Sequence, residues 1–142
     1  GKSLELLMLN FSKTIKSAKE DVDLASYADR LASGISDVQK ALGYLMPYAA
    51  QGDFENYLAD ATIFMEMAAN VIIAEQWLKM ALNAKTALHN ENKKFEKSFY
   101  ESKIHTMKFY YKYELPKTKA NLSTIMNSDK LTTVDDDNKV IF

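Results

Sequence analysis

Glutamate and histidine residues on helical stretches are the groups in this chain that could do metal chemistry. A di-iron site in a helical bundle needs Glu-x-x-His pairs on two helices and two further glutamates. Here Glu101 and His105 are four residues apart, and His89 has no glutamate three residues before it. The spacing argues against a di-iron centre, and His105 is most simply a surface residue.

Other reactive groups are absent from the sequence or wrongly spaced. The chain has no cysteine, which excludes disulfides, thiolate metal sites and a thiol nucleophile, and is compatible with the cytoplasm. No glycine-rich phosphate loop is present, and the run Asp135–Asp137 lacks the alternating ligands and the glycine of a calcium loop. We therefore expect no catalytic residue, no metal ligand and no cofactor-binding residue in this chain.

Glu75 is the carboxylate whose position allows more than one interpretation. It projects on the same side of its helix as Ala68, Val71, Leu78 and Leu82. A buried carboxylate could be catalytic, but it could equally be a satisfied ion pair or an edge residue that reaches water. An unpaired buried carboxylate would cost several kcal/mol, so the structural interpretations are favoured.

Length and composition indicate one all-α domain. The 142 residues include four Gly and two Pro, and the abundance of Ala, Leu, Met, Lys and Glu favours helix. The net charge of −1 gives no broad basic field, so nucleic acid is not an expected partner. The chain begins with Gly1 and shows no signal-peptide pattern, which suggests an excised fragment of a longer polypeptide.

The segment Phe54–Leu88 is the longest uninterrupted helical pattern, and the other helices should pack around it. Asp53 is placed to cap its first turn. Apolar residues cover most of the circumference, as in a helix surrounded by others; they include Tyr57, Leu58, Ala61, Phe64, Met65, Ala68, Val71, Ile72, Leu78 and Leu82. The charged residues Glu66, Glu75 and Lys79 within it favour a soluble core helix over a membrane span.

The last helical stretch carries two apolar stripes. The first consists of Phe95, Phe99, Ser102, Thr106, Phe109 and Tyr113, and it is predicted to be the core face, with small residues in its middle that allow close helix approach. The second consists of Tyr100, Ile104, Met107 and Tyr111, with Leu115 beyond them. One core needs one face, so the second stripe is the candidate interface with another domain or subunit.

These patterns together predict an all-α, up-and-down four-helix bundle with long central helices. It should span residues 1–127, with helices at about 3–18, 24–51, 54–89 and 93–127 and a kink at Pro116 in the last one. Residues 128–142 should form a short C-terminal tail, whose apolar end at Val140, Ile141 and Phe142 could dock on a neighbouring surface or be disordered.

Two stretches resemble the extra C-terminal domain of one bacterial branch of the acyl-CoA dehydrogenases. In the segment SKIHTMKFYYKYELP followed by KTKA, the residues that match are Ser102, Lys103, Lys108, Phe109, Tyr110, Leu115 and Pro116. The central helix is similar to the family's apolar, tryptophan-containing helix at Tyr57, Leu58, Phe64, Trp77 and Ala81. The resemblance extends over nearly the whole chain, from the first helix to Asn127.

The resemblance implies a structural function within a larger enzyme. Acyl-CoA dehydrogenases oxidise the Cα–Cβ bond of an acyl thioester with a glutamate base and FAD, and both lie upstream in the family. The chain would then brace the upstream catalytic domains of the same polypeptide or contribute to a homo-oligomer. The alternative is a free-standing helical bundle that binds a partner helix or an apolar ligand.

Overall fold

The computed structural model describes residues 1–127, and within them the chain is helical with no strand, so the all-α class is confirmed. The helices are α1 (Lys2–Lys19), α2 (Ala25–Ala50), α3 (Phe54–Leu88), α4 (Lys97–Tyr113) and α5 (Lys117–Met126). The first three begin and end within one or two residues of the expected positions. The tail predicted for residues 128–142 lies outside the described residues.

Local signals in the sequence set the start of α3. Gly52 has a φ of 76°, a left-handed conformation that glycine adopts without steric cost, and it ends the turn after α2. Asp53 then accepts a hydrogen bond at 3.3 Å from the backbone N–H of Asn56, one of the four donors that a helix start leaves free. The N-cap predicted at Asp53 is confirmed.

Helix α3 is the centre of the fold and contacts all four other helices. Its inward residues are buried; they are Met67, Val71, Ala74, Glu75, Leu78, Ala81 and Ala84. The expectation that other helices surround it is wrong on one side, because Leu58 and Met65 are each about two-thirds exposed. Those residues follow a heptad spacing on the outer side of α3, where no described helix packs.

Helix α3 is also long and apolar enough to cross a membrane, and it is the one helix in residues 1–127 of which this is true. The core helix of a soluble protein meets the same test, so the property alone is weak evidence. The interior of α3 carries Glu66, Glu75 and Lys79, each of which would cost about 2.5–3.5 kcal/mol at the bilayer centre. The absence of a membrane span stays a prediction.

The ion pairs and hydrogen bonds between helices give the direction of α1 relative to α3. Thr14 contacts Glu75, and Asp21, in the turn after α1, contacts Lys85. Positions later in α1 therefore meet positions later in α3, and the two helices run in the same direction. Helix α4 runs the opposite way, because Tyr111 contacts Ala74 while the earlier Phe99 lies near the later Asn83.

The last helix predicted from the sequence, 93–127, is two helices. Pro116 is the N-cap of α5 and α4 ends at Tyr113, since proline has no N–H to continue the helix and its ring crowds the preceding turn. The carbonyl of Tyr110 accepts from the N–H groups of both Glu114 and Leu115, at 2.8 and 3.0 Å. Instead of a kink within one helix, the chain makes a turn between two.

Helix α5 is held against α2 by one buried charge. Gly34 of α2 lies close to α3 and to the turn before α5, because a Cβ there would lie 3.2 Å from Val71 and 3.4 Å from Leu115. The Asp37 carboxylate is buried, and the ammonium of Lys119 lies 2.8 Å from its Oδ2. That contact is an ion pair without hydrogen-bond geometry. It neutralises a charge whose burial would otherwise be costly.

The turn between α1 and α2 is tied to α3 by Lys85, whose ammonium donates to Asp21 at 2.7 Å and to Asp23 at 3.0 Å. The hydrogen bond from Lys85 lowers the pKa of Asp21 below its ordinary 3.8. Burial alone would lower the pKa of Lys85, but its bonds to both aspartates outweigh burial and raise it above 10.5. The ion pair therefore stabilises the fold at pH values between the pKa of Asp21 and the pKa of Lys85 in the folded chain.

Asp21→Asn should lower the free energy of unfolding by about 1 kcal/mol at neutral pH, the upper range for a partly exposed pair. The asparagine can still accept from the N–H groups of Asp23 and Leu24 that Asp21 caps, so only the charge is lost. Because a lowered aspartate pKa stabilises above the unfolded pKa, the difference from the unmodified chain should vanish as the pH falls through the folded pKa.

Urea unfolding of both chains at neutral and acid pH measures this difference. Asp29→Asn is the control, because the pair between Asp29 and Lys19 is well exposed on both sides and should contribute little. A difference for Asp21→Asn that persists unchanged at acid pH would contradict the ion-pair explanation.

Candidate functional site

The two faces of α4 are the reverse of those predicted from the sequence. Met107 and Tyr111 of the expected interface are 0% and 1% exposed and belong to the main core cluster. Tyr100 and Ile104 are half-buried, and Ile104 packs against the same cluster. The structure therefore contradicts the candidate interface at Met107 and Tyr111, which are core residues. At Tyr100 and Ile104 the interface stays a prediction.

The predicted core face is exposed instead, and we call it the aromatic face. It consists of Phe95, which precedes α4, and of Phe99, Ser102, Thr106, Phe109 and Tyr113 on α4. Its four aromatic side chains are 40–53% exposed. They form two tilted pairs, Phe95 with Phe99 and Phe109 with Tyr113, with ring centroids 4.5 and 4.8 Å apart. Exposed aromatic rings in a row are typical of protein contact surfaces.

Lysines border both aromatic pairs. The ammonium of Lys103 lies 5.0 Å from the Phe99 ring centroid, and that of Lys112 lies 5.2 Å from the Tyr113 ring centroid. Cation–π contacts of this kind are worth about 0.5–1 kcal/mol at exposed sites. The aromatic face is thus an apolar row with a cationic border.

Asn70 joins α3 to the end of α4, a function that the sequence did not suggest. Its side-chain N–H donates to the carbonyl of Glu114 at 2.7 Å, and its side-chain oxygen accepts from the Tyr110 hydroxyl at 2.6 Å. Burial, followed by the nearby Glu114 carboxylate, raises the pKa of Tyr110.

Tyr111 is held in the core by its own hydroxyl, which donates to the carbonyl of Ala74 at 2.9 Å. Its ring meets that of Tyr27 edge to face, with centroids 5.5 Å apart. Burial first, and then the charge of Glu75, raise the pKa of Tyr111 far above its ordinary value. The hydroxyl stays protonated at neutral pH, so it acts as a structural donor.

Glu75 is buried and both of its oxygens are used. The hydroxyl of Thr14 donates to one oxygen and the side-chain amide of Gln76 donates to the other, each at 2.8 Å. The predicted burial is correct, but the partners are neutral donors instead of a cation. The hydrogen bond from Thr14 to Glu75 makes this carboxylate a bridge between α1 and α3.

An apolar groove of about 340 Å³ lies between α1, α2 and α3. Its lining consists of Leu4, Leu7, Met8, Phe11, Ile35, Val38, Gln39, Leu42, Phe64, Ala68, Val71 and Ile72. Gln39 is the only polar side chain among them. The pyrophosphate of FAD needs several N–H donors or cations, so the residues of this groove do not fit a flavin.

Within residues 1–127 no group of three or more His, Cys, Asp or Glu side chains is arranged to hold a metal ion. A second groove between α1 and α3 is polar; it is lined by Asn10, Lys13, Thr14, Ser17, Lys79, Leu82, Asn83 and Thr86. The described part of the chain is thus an all-α domain with an exposed aromatic face.

The chain belongs to the family described as acetyl-CoA dehydrogenase C-terminal like, which matches residues 7–134. The match extends over most of the chain and includes every helix except the first turns of α1. Comparison with curated proteins and with solved structures gives no significant match. The resemblance to a C-terminal domain of the acyl-CoA dehydrogenase type is therefore confirmed.

Proposed function

We propose that this chain is the C-terminal accessory domain of an FAD-dependent acyl-CoA dehydrogenase that acts in the cytoplasm. The observation that carries the proposal is the family match over residues 7–134. In the parent enzyme, upstream domains would hold FAD and the glutamate base for the α,β-dehydrogenation of acyl-CoA in fatty acid metabolism. This chain would brace those domains or contribute to contacts between subunits.

The arrangement of the helices supports a bracing function. We infer an up-and-down four-helix bundle in which α4 and α5 together take the place of the fourth helix. The supporting contacts are those from Tyr111 to Ala74 and from Lys119 to Asp37, which fix α4 on α3 and α5 on α2. Polar side chains link separate helices at each of these points, so the helices would behave as one rigid unit.

Deleting the region that corresponds to this chain from the full enzyme tests the proposal. We expect the shortened enzyme to keep its flavin spectrum but to lose thermal stability or change its oligomeric state, because the reacting groups lie upstream. The purified 142-residue chain should be colourless and inactive on acyl-CoA. Stoichiometric flavin bound to this chain alone, or a reading frame with no flavoenzyme upstream, would refute the accessory-domain function.

The apolar groove favours a second candidate function, a free-standing module that binds a partner helix or an apolar ligand. Its volume of about 340 Å³ is at the lower limit of small-molecule sites, which are mostly apolar with a few polar groups. Titration with an environment-sensitive apolar dye, with Phe64→Trp as a reporter in the groove lining, would detect such binding. Saturable binding in a protein with no upstream flavoenzyme would favour this alternative.

A further inference from the structure

We propose that the apolar segment at residues 140–142 of this chain occupies the apolar groove between α1, α2 and α3 and closes it to other ligands. The segment, Val140, Ile141 and Phe142, belongs to the residues after Asn127 that lie outside the described part of the chain. The inference does not depend on the proposed function, because the groove and the segment belong to the same chain. Its evidence is the exposure of the groove, the end of α5, the reach of the chain and its charge.

The groove is an apolar surface that the described helices leave partly uncovered. Leu4, Leu42 and Ile72 line it, yet they are 59%, 41% and 38% exposed. Covering them with apolar side chains removes this surface from water, which is favourable. The polar lining residue Gln39 is exposed, and its amide can both donate and accept hydrogen bonds. A peptide backbone offers both partners, so the groove suits a peptide segment better than a purely apolar ligand.

The end of α5 lies beside the helices that form this groove. Helix α5 ends at Met126, and Ile125, one residue earlier, belongs to a buried cluster with Leu45 of α2 and Met67 of α3. Phe64 packs against that cluster and also lines the groove. The chain therefore leaves α5 at the level of the groove, with α2 and α3 between them.

The chain is long enough to reach the groove from this point. Val140 is thirteen positions after Asn127, and a chain of that length spans at most about 43–47 Å. A helix with its side chains is about 10–12 Å across, so a path round the outside of α2 to the groove is roughly 17 Å long. The same length would reach round α3, so the reach of the chain does not decide between the two paths.

Lys40 lies on the path round α2. Ala41 and Leu45 pack in the cluster that includes Ile125 of α5, whereas Gln39 and Leu42 line the groove. At about 3.6 residues per turn, Lys40 falls on the outer side of α2 between these two faces. Its side chain is exposed, so a segment that passes round α2 meets its ammonium.

The charges on the two helices decide between the paths. Residues 135–137 are three aspartates, and they precede Val140 by three to five positions, at most about 18 Å. On α2 they meet Lys40, and no other Lys or Arg lies between positions 31 and 78. On α3 they meet Glu55 and Glu66, which are both exposed. Attraction on one helix and repulsion on the other favour the path round α2.

The segment also has a concentration advantage over a separate molecule. A tethered segment acts at an effective concentration on the order of millimolar, so even a weak contact with the groove is occupied for much of the time. A free ligand has to compete with this local concentration. The segment would thus keep the groove closed until it is displaced.

Thiol labelling tests whether the segment covers the groove, and the chain has no cysteine of its own to interfere. Leu42→Cys places a thiol in the groove lining. Met80→Cys places one on α3 outside the groove as a matched control, because the two side chains are 41% and 40% exposed. We expect serine at all of positions 140–142 to raise the rate of fluorescein maleimide labelling at position 42 about tenfold, as for a groove covered about nine-tenths of the time. The rate at position 80 should not change.

Disulfide formation tests the contact directly. In dilute protein, Ile141→Cys should form an intramolecular disulfide with Leu42→Cys at least tenfold faster than with Met80→Cys. Adding Lys40→Glu should slow the reaction with position 42 several-fold. Lys108→Glu, at an exposed position on α4, is the matched control and should leave the rate unchanged. Circular dichroism should show all variants folded.

Three outcomes would overturn the proposal. Labelling at position 42 could be equally fast with and without the three apolar side chains, or disulfides could form equally fast at positions 42 and 80. In the full enzyme, position 42 could also stay protected after the serine replacements, which would assign the groove to the upstream domains. None of these results refutes the accessory-domain function, which the deletion and flavin experiments test separately.

Discussion

Tyr111→Ala is expected to lower the free energy of unfolding by about 3–5 kcal/mol, the range for truncating a buried aromatic side chain. The side chain is 1% exposed, so its removal leaves a cavity at the contact between α2, α3 and α4. The substitution also removes the edge-to-face contact with Tyr27 and the hydrogen bond to the carbonyl of Ala74. Urea unfolding followed by circular dichroism measures the loss.

Two further substitutions separate the causes of this loss. Tyr111→Phe keeps the ring and removes the hydroxyl, so it should cost only about 1 kcal/mol. Phe109→Ala is the matched control on the opposite side of α4, where the ring is 53% exposed, and it should cost less than about 1 kcal/mol. If Phe109→Ala destabilised the chain more than Tyr111→Ala, the two faces of α4 would be assigned wrongly.

The faces of α4 could not be assigned from apolar content, because both stripes are rich in aromatic residues. The two stripes differ in whether a polar residue interrupts the apolar ones. The buried stripe is apolar at every position from Ile104 to Leu115, whereas the exposed stripe is interrupted by Ser102 and Thr106. Hydroxyl side chains that bond to their own helix are compatible with solvent, so an unbroken stripe was the better indicator of the core.

The limits of the first three helices were predictable because neighbouring residues determine them. Gly52 and Asp53 end one helix and begin the next through backbone conformation and capping, whereas the kink predicted at Pro116 is a turn between two helices. The contacts of Asn70 and Asp37 were not predictable in this way. Each depends on which residue of a distant helix lies opposite, Tyr110 in one case and Lys119 in the other, and one sequence contains no such pairing.

The exposure of the outer side of α3 also could not be predicted from the sequence of one helix. Apolar residues around the whole helix predicted burial on all sides, yet the α1–α2 pair and the α4–α5 pair leave Leu58 and Met65 exposed. The number of helices available in the chain, rather than the composition of α3, decides how much of its surface is covered. A pattern on one helix shows which faces can be buried, and the rest of the fold decides which ones are.

Thr14→Val is the second substitution with a large expected effect, a loss of about 2–3 kcal/mol of unfolding free energy. Thr14 is 6% exposed and Glu75 is 3% exposed, so water cannot easily replace the hydroxyl that donates to Glu75 at 2.8 Å. The carboxylate would keep Gln76 as a donor on one oxygen and leave the other buried without a partner. A buried charged group in that condition costs more than a neutral one.

Glu75→Leu in the same chain should restore most of the loss, because replacing both polar partners by apolar groups of similar volume is often nearly neutral. The double variant should lie within about 1 kcal/mol of the original chain, and the cycle of single and double variants gives the coupling energy. A Thr14→Val variant that unfolds like the original chain would mean that Glu75 does not depend on this hydroxyl. The carboxylate would then need another partner, and its structural function as a bridge between α1 and α3 would no longer hold.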